Sequence, residues 1–297
     1  MASVEERLRS GPPLVLDGAM GTELLRRGVD VSLPLWSARA LESAPEQVLA
    51  IHHDYVDAGA DIITANTFRT TVRTYGKIER NRQEALIKAR RATFRAVQLA
   101  RQASDDETLV AGSLAPLEDC YCPELFPGTP AAREEFVQQE RWLEEAGVDM
   151  VLVETMIRAD ETRIALEAAG DYRVPRWVSF LVKDEGHLLG GDPLDQTVRL
   201  AEDLGAGAIL LNCSNLLTTL KALETVLSAT DLPAGIYPNL GRTMPSAQGE
   251  IEEVYPLDEF LSALTTAIPM GIRVVGSCCG SGPDHTRALR KAVDTLI

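Results

Sequence analysis

Apolar runs that end in a single polar residue recur along the chain, and the stretches between them carry hydrophobic residues at helical spacing. Eight runs fit strands, at about 14–18, 61–66, 108–113, 149–154, 176–182, 207–213, 233–238 and 272–277. Their near-continuous hydrophobicity suits strands covered on both faces, not strands wetted on one side. Between them, Val48, Ile51, Tyr55 and Ala58 share one helical face, and Ser43 followed by Pro45 predicts the entry to that helix. Thr129-Pro130 and Asp192-Pro193 predict the same kind of start for two further helices.

A short phrase repeats where helix gives way to strand. Ala58-Gly59-Ala60-Asp61 precedes Ile62-Ile63-Thr64-Ala65-Asn66, and Ala146-Gly147-Val148-Asp149 precedes Met150-Val151-Leu152-Val153-Glu154. Leu204-Gly205-Ala206-Gly207 before Ala208-Ile209-Leu210-Leu211-Asn212 is a looser copy. Each first glycine sits where a helix ends in the left-handed conformation. Eight strands alternating with helices predict an α/β fold, a (β/α)8 TIM barrel of typical size, with residues 1–297 as one domain. The rival is an open doubly wound sheet. It lacks the glycine-rich phosphate loop expected after its first strand, where Asp17-Gly18-Ala19-Met20-Gly21-Thr22 stands instead.

In such a barrel the carboxyl ends of the strands converge on one face, where active sites lie. The polar residues that end the runs are Asp17, Asn66, Glu154, Cys213, Asn239 and the adjacent pair Cys278 and Cys279. The sixth and eighth strands have one neighbour between them, so three thiolates can meet one ion. Zinc takes tetrahedral sulfur coordination, and a site with three protein ligands keeps a position open for a substrate. A thiol substrate is the natural fourth ligand. A buried carboxylate such as Glu154 at the end of a core strand is costly unless it meets a cation.

Composition narrows the function further. The formal charge of -15, from 29 Lys and Arg against 44 Asp and Glu, argues against a nucleic-acid partner, whose phosphates need a basic surface. Met1-Ala2-Ser3-Val4-Glu5-Glu6-Arg7 lacks the apolar core of a signal peptide, and no run reaches the roughly 20 apolar residues of a membrane span. A cytoplasmic protein with no membrane partner is expected, its five cysteines kept as thiols. Cys120 and Cys122 belong to no ligand pattern and read as local packing, although a redox or second metal role stays open. His52 and His53 read as surface or satisfied core residues, and His285 as a structural hydrogen-bonder. Glu250-Ile251-Glu252-Glu253 reads as a solvated loop that could border the cavity entrance.

Nearly the whole chain resembles the homocysteine S-methyltransferase family. That family includes betaine- and S-methylmethionine-dependent enzymes and the homocysteine-binding module of cobalamin-dependent methionine synthase. The matching stretches are Leu16 to Leu24, Ile63-Thr64-Ala65-Asn66-Thr67-Phe68, Glu154-Thr155, Asn212-Cys213, Tyr237-Pro238-Asn239 and Gly276-Ser277-Cys278-Cys279-Gly280 with Pro283 and His285. The resemblance implies zinc on Cys213, Cys278 and Cys279. It also implies that Asp17 and Glu154 hold the homocysteine ammonium and that the backbone around Gly18 approaches its carboxylate, with Asn66 and Asn239 as further candidates for substrate contact. Zinc lowers a thiol's pKa, so homocysteine is expected to bind as thiolate and to take a methyl group from a small cationic sulfonium or ammonium donor, giving methionine. No catalytic residue beyond the metal site is needed. Self-association is an expectation of the resemblance alone.

The sequence departs from the family pattern at three places. Ser277 stands where a second glycine is usual, and Ala19 gives a form associated with cobalamin-dependent synthases. The segment Ser113 to Pro123 matches no donor-specific pattern. Two alternatives therefore stay open: a homocysteine-binding subunit that receives methyl from a separate corrinoid protein, and a non-catalytic binder of zinc or homocysteine.

Overall fold

Eight strands form where apolar runs were predicted: β1 Leu14–Val15, β2 Ile62–Ala65, β3 Leu109–Leu114, β4 Met150–Met156, β5 Arg176–Phe180, β6 Ala208–Asn215, β7 Ala234–Asn239 and β8 Val274–Val275. The computed structural model describes residues 4–170, 173–243, 251 and 253–295. Neighbouring strands follow the order β1-β8-β7-β6-β5-β4-β3-β2, and the pairs run parallel. Leu16 pairs with Ile62 across the remaining gap. There Asp17 N–H donates to Ile62 O at 3.0 Å and Asp61 N–H donates to Val15 O at 2.8 Å. These bonds close the ring and exclude the open sheet, whose two edges would be left exposed.

Alternation along each strand sorts the core into two layers. Leu14, Leu16, Ile62, Met150, Leu152, Trp177, Leu210 and Val274 fill the barrel interior, joined from below by Val4 and Leu8 of the first helix, Val4–Arg9. Val15, Val151, Val153, Ile209 and Leu211 face outward against the surrounding helices. Strands covered on both faces in this way read as continuous apolar runs, as the sequence does.

The repeated phrase has a structural cause beyond helix termination. Gly59, Gly147 and Gly205 take φ of 91°, 84° and 85° and turn the chain out of its helix. The aspartate that follows then serves the neighbouring strand. Asp61 Oδ2 accepts from Val15 N–H at 2.7 Å, and Asp149 Oδ2 accepts from Val110 N–H at 2.7 Å. Arg7 and Arg290 pair with Asp61, and Arg101 with Asp149, so each carboxylate closes a strand start and anchors a helix.

Three helix entries differ from expectation. The helix Pro45–Asp57 starts from Ala44, because Ser43 ends the preceding turn and donates its hydroxyl back to Arg39 O at 3.2 Å. Thr129 already lies inside its helix, which Gly128 enters at φ 91°. Asp192 caps another helix, accepting from Ala159 N–H at 2.9 Å at the start of Ala159–Glu167. Among the described residues, no helix is long and apolar enough to cross a membrane.

Candidate metal and substrate site at the barrel mouth

Strict alternation would send Cys213 outward, behind Ile209 and Leu211. Instead the ladder between β6 and β7 shifts register between Asn212 and Asn215, and Cys213 takes a left-handed backbone with φ 54°. Such an irregularity re-aims a side chain, and here it brings Cys213 into contact with Ile157 and Leu181 at the mouth, where Cys278 and Cys279 also pack. β4 breaks in the same way after Val153, with Thr155 at φ 61°. Left-handed β-branched residues are strained and need support. Asn212 supplies it, donating from Nδ2 to Thr155 Oγ1 at 2.9 Å and accepting from Ser179 Oγ at 2.8 Å.

The three predicted sulfur ligands meet. Cys213 Sγ lies 2.9 Å from Cys278 Sγ, Cys278 Sγ lies 3.9 Å from Cys279 Sγ, and all three fall within 4.8 Å of one another. Zinc–sulfur bonds of about 2.3 Å set the sulfurs of one tetrahedron roughly 3.8 Å apart, so the trio fits one such ion after small shifts. Hydrogen bonding to Cys213 and Cys278 holds the Cys279 thiol well below its ordinary value, while hydrogen bonding within the cluster pushes Cys213 up. Among the described residues this is the one group of His, Cys, Asp and Glu close enough to share a metal.

Asp17 and Glu154 lie on the wall of the same cavity, which encloses about 300 Å³. Asp17 accepts from Thr64 N–H at 2.7 Å and from Thr64 Oγ1 at 3.1 Å. It does not cap the helix that follows it, Met20–Arg26. Burial pushes its carboxyl up to about 7, with a further rise from Glu154 set against the Thr64 bonds. Glu154 accepts from Ser113 Oγ at 2.6 Å and Tyr237 Oη at 2.9 Å, and burial lifts it to about 6. Neither carboxylate has an ion-pair partner among the described residues, so a ligand cation would relieve the cost of burying them. A Cβ on Gly18 would meet Ser281 Oγ at 2.6 Å and Tyr55 Oη at 2.8 Å, so the backbone there is held where only glycine fits.

The two asparagines are spoken for by the protein. Asn66, on the cavity wall, accepts from Ser37 Oγ at 2.6 Å and donates to Ser37 O at 2.9 Å. Asn239 donates to Cys213 O at 2.7 Å and accepts from Cys279 N–H at 3.1 Å. Ser277 needs no left-handed backbone, so the glycine usual in its place is dispensable here. Cys120 and Cys122 line the cavity, apart from the sulfur trio, and burial pushes the Cys120 thiol up to about 12. His285 accepts from Gly282 N–H at 3.3 Å, as expected of a structural histidine. His52 is fully buried with both ring nitrogens unpartnered, contrary to the expectation of a surface or satisfied role. His53 is exposed. Glu250 and Glu252 lie outside the described residues, and Glu253 is exposed.

Several cavity residues escaped the sequence reading. Thr64, Ser113 and Tyr237 hold the two carboxylates, and Trp36, Phe68, Arg69 and Tyr121 line the wall. The strand-end positions of Ser113 and Tyr237 were the available signal. Thr64, Phe68 and Tyr237 also lay in the matching stretches and Tyr121 in the unmatched segment after the third strand, while Trp36 and Arg69 carried no signal.

A closed parallel barrel that gathers its buried acids and thiols at the carboxyl rim has the layout of a barrel enzyme. A family model described as homocysteine S-methyltransferase matches residues 14–293. The chain belongs to the homocysteine S-methyltransferase family. It is 31% identical to homocysteine S-methyltransferase of Escherichia coli strain K12, over 93% of this chain and 94% of that protein. It is 28% identical to homocysteine S-methyltransferase 2 of Zea mays, over 98% and 94%. The metallated crystal structure of the E. coli homocysteine methyltransferase MmuM superposes with a TM-score of 0.82 at 28% identity, covering 96% of this chain and 97% of that one.

Proposed function

We propose that this enzyme transfers a methyl group from a small onium donor to homocysteine, with zinc held by Cys213, Cys278 and Cys279. The observation that carries the reading is the convergence of these three sulfurs at a cavity that also exposes two unpaired buried carboxylates. When bound, zinc would lower the pKa of a thiol ligand and so present homocysteine as a nucleophilic thiolate at neutral pH.

The chain's own residues bind and orient. Asp17 and Glu154 hold the ammonium of the amino acid, and the tight backbone at Gly18 receives its carboxylate. Thr64, Ser113 and Tyr237 fix the two acids by hydrogen bonds, so the ammonium meets oriented oxygens. Asn239 fixes the backbone of two sulfur ligands, and Asn66 fixes the wall beside them. The walls exclude water and align sulfur, methyl and leaving atom, which is the main demand of an in-line displacement between a thiolate and a cation.

Purified protein supplied with zinc and homocysteine is expected to form methionine with at least one of S-methylmethionine, betaine or another sulfonium acid. Failure with all of them, together with methionine formed from methylcobalamin, would overturn the onium donor and leave a corrinoid-dependent enzyme. Tight homocysteine binding without turnover under every condition would reduce the protein to a binder.

A further inference from the structure

Arg69 is the only cation among the described residues lining the cavity, where it shares the wall with Asp17, Asp119 and Glu154. No carboxylate of the described residues forms an ion pair with it. The side chain of the adjacent Glu118 is taken by Arg73 and Lys77, and Asp119 Oδ1 accepts from Tyr121 N–H at 2.9 Å.

The orientation of the guanidinium sharpens the point. Nη1 donates to Glu118 O at 2.9 Å, which pins the group to the segment after β3. Nε is shielded from solvent and has no hydrogen-bond partner. Nη2 has no hydrogen-bond partner among the described residues, so the guanidinium keeps a donor and its charge for an acceptor from outside the chain. The guanidinium carbon lies 5.4 Å from the centroid of the Phe68 ring, and Trp36, Phe68, Tyr121 and Tyr237 bring aromatic groups to the same cavity. Aromatic faces attract onium groups, so the cavity offers both halves of a zwitterion a partner.

We infer that Arg69 anchors the carboxylate of the methyl donor, making the enzyme selective for onium donors that carry a carboxylate. The inference rests on the proposed function for the identity of the donor, and it names the substrate class. The acceptor's own carboxylate is assigned to the backbone at Gly18, and its ammonium to Asp17 and Glu154. Arg69 is therefore left for a second acid.

The test pairs donors that differ at the carboxylate, glycine betaine against choline and S-methylmethionine against its methyl ester. Their binding to the zinc-loaded protein is read by calorimetry, alongside methionine formation. The wild type is expected to bind the acid of a pair more tightly. Arg69→Gln is expected to weaken the acid ~10- to 100-fold, leaving the carboxylate-free partner and homocysteine within about twofold. Arg69→Lys, which keeps the charge on a different donor geometry, should fall between. Thermal melting of both variants separates loss of the anchor from loss of fold. Calorimetry does not depend on turnover. A carboxylate preference abolished by Arg69→Gln upholds the anchor even if no methionine forms, while absence of any such preference overturns it. A variant that loses homocysteine affinity instead assigns Arg69 to the acceptor and also overturns the inference.

Discussion

Asn239 holds Cys213 by its backbone, donating from Nδ2 to the cysteine carbonyl at 2.7 Å, while its Oδ1 takes the N–H of Cys279 at 3.1 Å. One amide thus fixes the spacing between candidate sulfur ligands delivered by β6 and by the segment after β8. Residues that orient metal ligands typically govern affinity by 10- to 100-fold. Asn239→Leu should weaken zinc retention by about that factor in chelator competition, with the far-ultraviolet circular dichroism unchanged.

Direct removal of a ligand should be harsher. Cys213→Ser, Cys278→Ser and Cys279→Ser should each leave the protein with less than about a tenth of its zinc by elemental analysis, because serine is a poor ligand for this ion at neutral pH. Cys120→Ser and Cys122→Ser should retain it in full. Zinc kept by all three of the first set would end the metal assignment.

The buried acids predict a pH dependence with a definite sign. Burial raises Asp17 from 3.8 to about 7, so between those values the folded protein holds a proton that the unfolded chain has released. Stability should therefore fall as pH rises from about 4 to 7, by a few kcal/mol at most. Asp17→Asn should flatten that slope in urea titrations. Homocysteine affinity should move the opposite way, rising with pH as the carboxylates ionise, and drop at least ~10-fold in Asp17→Asn.

His52 gives the reverse slope. Burial lowers it from 6.5 to about 3, so the unfolded chain takes up the proton first and stability is lost as pH falls from 6.5 toward 3. His52→Leu removes two unpartnered ring nitrogens. Its denaturation midpoint should be less sensitive to acid than that of the wild type over the same interval, with methyl transfer unaffected.

Asp61 closes a strand start and pairs with two arginines, so Asp61→Ala should cost about 2–4 kcal/mol in urea unfolding. Zinc content of the folded fraction should be unchanged.

The barrel was legible because buried parallel strands must be apolar throughout, and because the glycine that ends a helix left its mark before Ile62, Met150 and Ala208. The sulfur trio was legible for the same reason, since each cysteine interrupts or follows an apolar run. The left-handed turns at Thr155 and Cys213 were not, because neither residue type favours that conformation and only the surrounding bonds impose it. Arg69 was hidden differently: a loop arginine looks like any surface cation until its neighbours' charges are seen to be engaged elsewhere. Asp192 shows a third kind of blindness, where a correct capping residue serves a helix distant in sequence.

The aspartates of the repeated phrase act at the foot of the ring, a barrel's length from the sulfurs. The residues that brace the foot of the ring are thus not those of the sulfur cluster. A lineage carrying this scaffold can rewrite the loops above the strands, and with them its choice of partner molecule, while the girdle below keeps each new version foldable.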